Sequence, residues 1–435
     1  MPNNPFIVGK PVPPERFVGR TALIETAFDQ ISHRSNLSVW GGPGLGKSSF
    51  LELLTWPEIW QAYQTERTNP SQAVIVLLNC LSINPFSGSG FWGKVLSLIK
   101  PKLDSNPVLQ EYINRLVQDG KSTAEDFRKV LGKLGANNKF LVLLVDDYDA
   151  VFRTHETYTE ADMETFLSES RTVAYSAEER QYLSMIVTSS RRLNELGPSL
   201  TPDKSPWYNH YLFRQLKPFT KNEVDILLQN MLMTPALRDG IAEIADGHPV
   251  LLQNAGYLLY QELRAGGDLD PVTFAQEFQN TTLHIFQQMW ELSNPIEQTL
   301  LMLIALSELK GRLRNQRYDI SDIDNIFSQQ ELELNALVGQ GVIKRRYTDD
   351  KINYSFASSI MEWWVVKKIQ NSNETELEQR KKVFLNVMSS KQAEKVTTAI
   401  RWLWNNKDQV PSILEWIGKV TAALPKGAIK GVISG

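Results

Sequence analysis

Cysteine is nearly absent: Cys80 is the only one in 435 residues. No disulfide can form within the chain, which suits a reducing compartment. Cys80 sits in an apolar run and reads as core packing. Long hydrophobic runs are missing as well. No uninterrupted apolar stretch reaches the roughly 20 residues that span a bilayer. The start, Met1-Pro2-Asn3-Asn4-Pro5, lacks the charged and apolar parts of a secretion signal. A cytoplasmic location without a transmembrane segment is therefore expected. An excess of either charge is lacking too: 46 basic against 49 acidic residues leave −3. Nothing global draws the chain to nucleic acid or an anionic membrane, although a local basic patch stays open. Five histidines and one cysteine make no metal-ligand cluster in sequence. No Ser/His/Asp set, internal repeat or low-complexity tract is recognisable. The remaining composition, 42% hydrophobic and 22% charged, is that of a globular protein long enough for two or three domains.

The strongest positive signal is Gly41-Gly42-Pro43-Gly44-Leu45-Gly46-Lys47-Ser48. It has the phosphate-loop spacing of glycine, four residues, then Gly-Lys-Ser. A short apolar run, residues 37–40, precedes it. Ser49, which is expected to contact the nucleotide with the loop, and the helix-like residues 50–54 come after it. Glycines let successive backbone N–H groups turn inward around phosphate oxygens, and the positive end of the next helix faces the same anion. Lys47 would reach the β- and γ-phosphates, and Ser48 would bind Mg²⁺.

The rest of the first half alternates apolar runs with helical stretches, the pattern of a parallel α/β sheet. Residues 73–80 and 140–145 read as buried strands, as do residues 183–187. Residues 91–134 read as helices. Sites in such sheets gather at the carboxyl ends of strands. There the second strand pattern of interest ends in Asp146-Asp147. Asp146 would hold Mg²⁺, directly or through water. Asp147 would orient or deprotonate the attacking water. Asp149 reads as a cap for the segment after it. The next strand ends in Thr188-Ser189-Ser190-Arg191, where a polar or cationic group can contact the γ-phosphate. A one-residue slip reverses every side chain, so the spacing does not say which of the four faces inward. Arg171 and Arg180 read as a solvated face.

Before the loop, Pro11, Pro13 and Pro14 forbid regular helix. After Phe17-Val18-Gly19-Arg20 comes an amphipathic run, with Thr21 as its cap and Ile24, Ala27, Phe28 and Ile31 on one face. It either walls off an adenine ring or covers a sheet edge. From residue 212 the pattern turns wholly helical. Thr220 and Glu223 form a capping box, and Gly247-His248-Pro249 breaks two helical runs. Helical runs at 295–309, 321–327 and 330–340 lead to two strand-like runs flanking Thr348-Asp349-Asp350-Lys351. Three helices and a hairpin outline a winged helix. Lys344-Arg345-Arg346 before the wing either contacts nucleic acid or discourages sheet pairing as a charged edge. Residues 373–404 are helical. The tail from Val410, with Lys419, Lys426 and Lys430 around Pro425, reads as a flexible terminus or a packed last helix.

Phe-Val-Gly-Arg, Gly-Gly-Pro-Gly-Leu-Gly-Lys-Ser, apolar-Asp-Asp, Thr-Ser-Ser-Arg and Gly-His-Pro occur in that order. Together they resemble AAA+-related ATPases of the STAND class (signal-transduction ATPases with numerous domains) and the origin-recognition-complex-like, archaeal-type ATPases. The resemblance covers about residues 15–260 well and the winged-helix region loosely. It implies a P-loop parallel sheet with helices on both faces, then a helical lid and a winged-helix-like domain. The expected divisions are 1–16, 17–211, 212–285, 286–370 and 371–435. It implies ATP or ADP with Mg²⁺ as ligands. By resemblance, Val18, Gly19 and Arg20 lie near the adenine or ribose and Pro249 near the base, while Arg191 serves as a sensor. Two features depart from the family. Asp-Asp stands where many AAA+ enzymes have Asp-Glu, and Ser190 displaces the sensor arginine. Both favour a slow nucleotide switch over a motor, with a protein partner or self-assembly as output. A DNA-associated ATPase using the wing and a non-catalytic nucleotide-binding adaptor are the alternatives.

Overall fold

The computed structural model describes residues 4–103, 106–198, 206–229, 231, 233–265, 270–309, 311–313, 318–320, 323–348 and 351–424. Two compact units divide the chain. One holds residues 11–41 and 46–216. The other holds residues 1–10, 42–45 and 217–435.

The first unit is built on a five-stranded parallel sheet, β1 (Asn36–Trp40), β2 (Ala73–Asn79), β3 (Phe140–Asp146), β4 (Leu183–Ser189) and β5 (Tyr211–Gln215), in the order β2-β3-β4-β1-β5. Every residue of β3 and β4 is buried. Two covered faces explain why these strands read as continuous apolar runs rather than as an alternation. Val74, Val76 and Leu78 of β2, with Leu141, Leu143 and Val145 of β3, take every second position. They pack into one layer with Phe91, Trp92, Phe127 and Phe166 from helices Gly88–Ile99, Ala124–Ala136 and Glu160–Arg171. Helix Thr21–Ser32 packs on β1 and β4, and its buried residues are Ile24, Ala27, Phe28 and Ile31, the predicted face. Helix Lys47–Leu53 packs on β3 and β4.

Two local expectations are corrected. Thr21 does not cap its helix. Arg20 is the N-cap residue, in the left-handed region at φ 62, after Gly19 at φ 68. Residues from 212 are not wholly helical, because β5 runs to Gln215 beside β1. Its exposed Arg214 and half-buried Gln215 are the mark of an edge strand, which the buried-strand pattern does not capture.

The second unit is helical apart from a hairpin. Thr220 and Glu223 form the expected capping box on helix Lys221–Leu228. Helices Pro235–Ala245 and Pro249–Ala265 flank Gly247 (φ 78) and His248. Helices Pro295–Leu309, Ile323–Gln329 and Glu331–Gly339 precede an antiparallel pair, β6 (Ile343–Thr348) and β7 (Lys351–Phe356). Three helices and a hairpin thus occur in the predicted order. Helices Ser359–Gln370, Glu374–Val387, Ser390–Asn405, Ile413–Trp416 and Gly418–Ala423 follow among the described residues. Among the described residues, no helix is long and apolar enough to cross a membrane. The hairpin tip acids Asp349 and Asp350, and Pro425, Lys426 and Lys430 of the tail, lie outside the described residues.

Candidate functional site

β1 ends at Trp40, and Gly41 N donates to Ser189 O at 3.1 Å, so the loop leaves the sheet between β1 and β4. Gly44 and Gly46 take φ values of 75° and 98°. L side chains resist that region, and here glycine is required by backbone geometry. Gly46 is the N-cap residue of helix Lys47–Leu53, which places Lys47, Ser48 and Ser49 in its first turn. Val12 N donates to Ser49 Oγ at 2.9 Å, tying the proline-rich segment to that turn. Ser49 is thereby engaged with the chain itself. In the second unit, Val250 N donates to Gly44 O at 3.3 Å, and a Cβ on Gly42 would stand 2.2 Å from Gln340 O. Buried Pro249 opens the helix that carries Val250.

Lys47 Nζ donates to Gly41 O at 2.7 Å. Burial pulls its pKa below the usual lysine value, while Asp149, Asp146 and Asp147 oppose that pull. The loop lysine and the acids of β3 therefore feel one another, as the sequence order implied. Asp146 is buried. Its Oδ1 accepts from Thr188 Oγ1, a short contact, and from Asp147 N at 3.1 Å. Asp147 is next, in the left-handed region at φ 51. A non-glycine residue held there, at the end of the strand that carries Asp146, is strain of the kind found at functional sites. Desolvation first and Asp146 second push the Asp147 carboxyl above its ordinary value. A hydrogen bond from Asn79 and the charge of Lys47 pull the other way.

Asn79 is the residue that sequence reading missed. It ends β2 directly opposite Asp146 in the register, and its Nδ2 donates to Asp147 Oδ2 at 2.9 Å. Its Oδ1 accepts from Leu81 N at 2.8 Å, which fixes the amide. The available signal was a polar residue closing an otherwise apolar run, beside a strand that ends in acids.

The strand-end cluster from Thr188 to Arg191 divides between two faces. Thr188 reaches Asp146, and Ser190 gives Asp149 its N–H at 2.9 Å and its hydroxyl in a short bond. These two share a face by strand alternation. Ser189 Oγ instead donates to Arg191 O at 2.6 Å. Asp149 is not a cap; it ties the end of β3 to the end of β4. Arg191 lies past the strand end and pairs with Glu195 at 3.9 Å. Val18, Gly19 and Arg20 are half-buried at the entry to helix Thr21–Ser32. Arg171 Nε donates to Asn209 and Arg180 to Tyr175 O. Among the described residues, no group of three or more His, Cys, Asp or Glu side chains forms a metal cage. Asp146 offers a buried carboxylate and Ser48 a hydroxyl, oxygen donors of the kind that could hold Mg²⁺ shared with phosphates.

The same fold occurs in solved structures. The Walker-type ATPase PABY2304 of Pyrococcus abyssi superposes with a TM-score of 0.55 at 17% identity, over 83% of this chain and 99% of that one. The fold is that of a Walker-type ATPase. The Aeropyrum pernix ORC2 protein, in its ADPNP–ADP complexes, superposes with a TM-score of 0.51 at 13% identity, over 93% of this chain and 98% of that one. No protein-family model and no curated protein sequence matches the chain.

The basic triplet before the hairpin tip is engaged within the second unit. Lys344 Nζ pairs with Asp246 Oδ2 at 2.7 Å, and Arg345 Nη2 with Glu331 Oε1 at 3.5 Å. Arg345 also bonds Asn335, and the charge of Arg346 acts on Glu308 and Glu362.

Proposed function

We propose that the chain is an ATP-binding regulatory ATPase, a nucleotide-dependent conformational switch of the STAND type with slow Mg²⁺-dependent hydrolysis. The observation that carries the reading is the mutual influence of Lys47, Asp146 and Asp147 beside a loop whose Gly44 and Gly46 take positive φ. In this reading residues 41–48 hold the phosphates. Ser48 and Asp146 hold Mg²⁺, which supplies charge neutralisation to the terminal phosphates. Asp147 accepts a proton from the attacking water. Val18 to Arg20 and Pro249 lie along the base and ribose. Thr188 supports Asp146, and Arg191 responds to the γ-phosphate only by leaving Glu195. Asn79, bonded to Asp147, holds the base in one orientation and slows hydrolysis. ATP and ADP are proposed to bias the arrangement of the lid, residues 212–285, and the winged-helix region, residues 286–370, with output to a protein partner in the cytoplasm. Loading of DNA through the wing is the weaker reading, since Lys344 and Arg345 are already bonded to acids of their own chain.

The test is calorimetric titration of ATP with Mg²⁺ into the wild type and Lys47→Ala. Loss of a charge-assisted contact worth about 1.5–3 kcal/mol lowers affinity roughly 10- to 100-fold. Unchanged affinity and unchanged phosphate release in the variant would sink the proposal.

A further inference from the structure

Two cations of the helical unit stand on indole rings without a carboxylate beside them. Trp290 lies near the end of helix Pro271–Leu292. Trp364 and Lys368 are one turn apart on helix Ser359–Gln370, and Arg380 is on helix Glu374–Val387. The two indoles meet edge to face, centroids 6.0 Å apart. Lys368 Nζ is 5.5 Å from the Trp290 ring and 5.6 Å from the Trp364 ring. Arg380 Cζ is 5.2 Å from the Trp290 ring. Its hydrogen bond is from Nη1 to Gln298 Oε1 at 3.3 Å, a neutral acceptor. Among the described residues, no carboxylate comes within 4.0 Å of Lys368 or Arg380. Neighbouring cations differ: Lys381 pairs with Glu378, Arg401 with Glu374, and Lys395 with Asp319 at 2.8 Å.

A half-buried guanidinium with one neutral partner keeps a planar fork of N–H donors unspent. Burial lowers the Arg380 pKa, with Glu376 the acid that opposes it. Such a group is completed by a carboxylate, which fits the fork with two bonds. Leu283 is 43% exposed and precedes Trp290 by seven residues, on the same stripe of its helix.

We propose that this face docks an acidic segment of a partner protein, seating a carboxylate between Lys368 and Arg380 and an apolar side chain beside Trp364 and Leu283. Two cations on one indole, neither with a carboxylate within 4.0 Å among the described residues, match a short acidic peptide. A nucleic acid backbone draws its affinity from many neutralised phosphates in a row.

The test uses the full chain and a short fluorescein-labelled peptide of glutamates interspersed with leucines, read by fluorescence anisotropy. Lys368→Gln and Arg380→Gln should each weaken binding roughly tenfold, the loss of one charge-assisted contact. Lys382→Gln, on the same helix and without a ring beneath it, should not. Near-ultraviolet circular dichroism identical to wild type establishes that the variants are folded; for a variant that is not, Arg380→Lys takes its place with the same expectation. Equal peptide affinity in all variants would overturn the proposal, as would no binding at about 1 mM peptide. So would preferential binding of a labelled DNA duplex lost in the same variants. A solution mass that falls on these substitutions would assign the face to a second copy instead.

Discussion

Asp147 carries two opposing influences that can be separated by experiment. Desolvation and Asp146 raise its carboxyl above the ordinary aspartate value, and the Asn79 amide lowers it by favouring the ionised form. A general base works only when ionised, so its activity is lost as pH falls through its pKa. Removing the amide lets that pKa rise further. Asn79→Ala should therefore move the acidic limb of the pH profile for ATP hydrolysis to higher pH. The measurement is phosphate release at saturating ATP across the acidic range. A limb in the same place would show that Asp147 is not the titrating base or that Asn79 does not act on it. If the amide also restrains the base, the plateau rate at higher pH should increase in the same variant. Neither effect is expected from Asn114→Ala, whose amide bonds only the exposed Glu111.

At the scale of elements, Gly46 shows how much the loop depends on backbone alone. Its φ is 98°, and a Cβ built there meets nothing within 4 Å. The cost of Gly46→Ala is therefore conformational, about 1–2 kcal/mol, with no packing clash to add. Thermal unfolding should show a modest fall in Tm, about 2–4 °C per kcal/mol for a unit of this size. The loss of ATP affinity should exceed what that destabilisation explains, because the N–H groups of the loop would no longer converge. A variant that binds ATP normally would remove the left-handed turn from the argument. The central strands β3 and β4 were legible because two covered faces leave nearly continuous apolar runs, and the loop was legible because its turns at positive φ call for glycine. β5 was not, because an edge strand with Arg214 and Gln215 breaks that pattern. Asp149 looked like a local cap because its partner, Ser190, is 41 residues away, and only the β3–β4 neighbourhood joins them. Asn79 was hidden for the same reason. The mutual position of strand ends is set by the register, which no local window contains.

For the molecule as a whole, ATP and ADP are proposed to favour different arrangements of the chain. A switch built this way has a thermodynamic requirement. A ligand moves an equilibrium between two arrangements only by the difference in its affinity for them. Shifting the populations from about 1:9 to 9:1 needs roughly an 80-fold difference, or about 2.6 kcal/mol. Swapping ADP for ATP must supply that through the γ-phosphate and its Mg²⁺, a demand within reach of one or two charge-assisted contacts. Solution scattering of the full chain with ADP and with a non-hydrolysable ATP analogue should therefore give distinct profiles or masses. With Lys47→Ala the two nucleotides should give one profile. Identical wild-type profiles, with both nucleotides bound at saturation, would reduce the protein to a nucleotide-binding adaptor. The slow hydrolysis proposed for Asp147 makes the analogue and ATP itself interchangeable on the timescale of the measurement. ATP should therefore reproduce the analogue profile first and decay to the ADP profile at the rate of phosphate release.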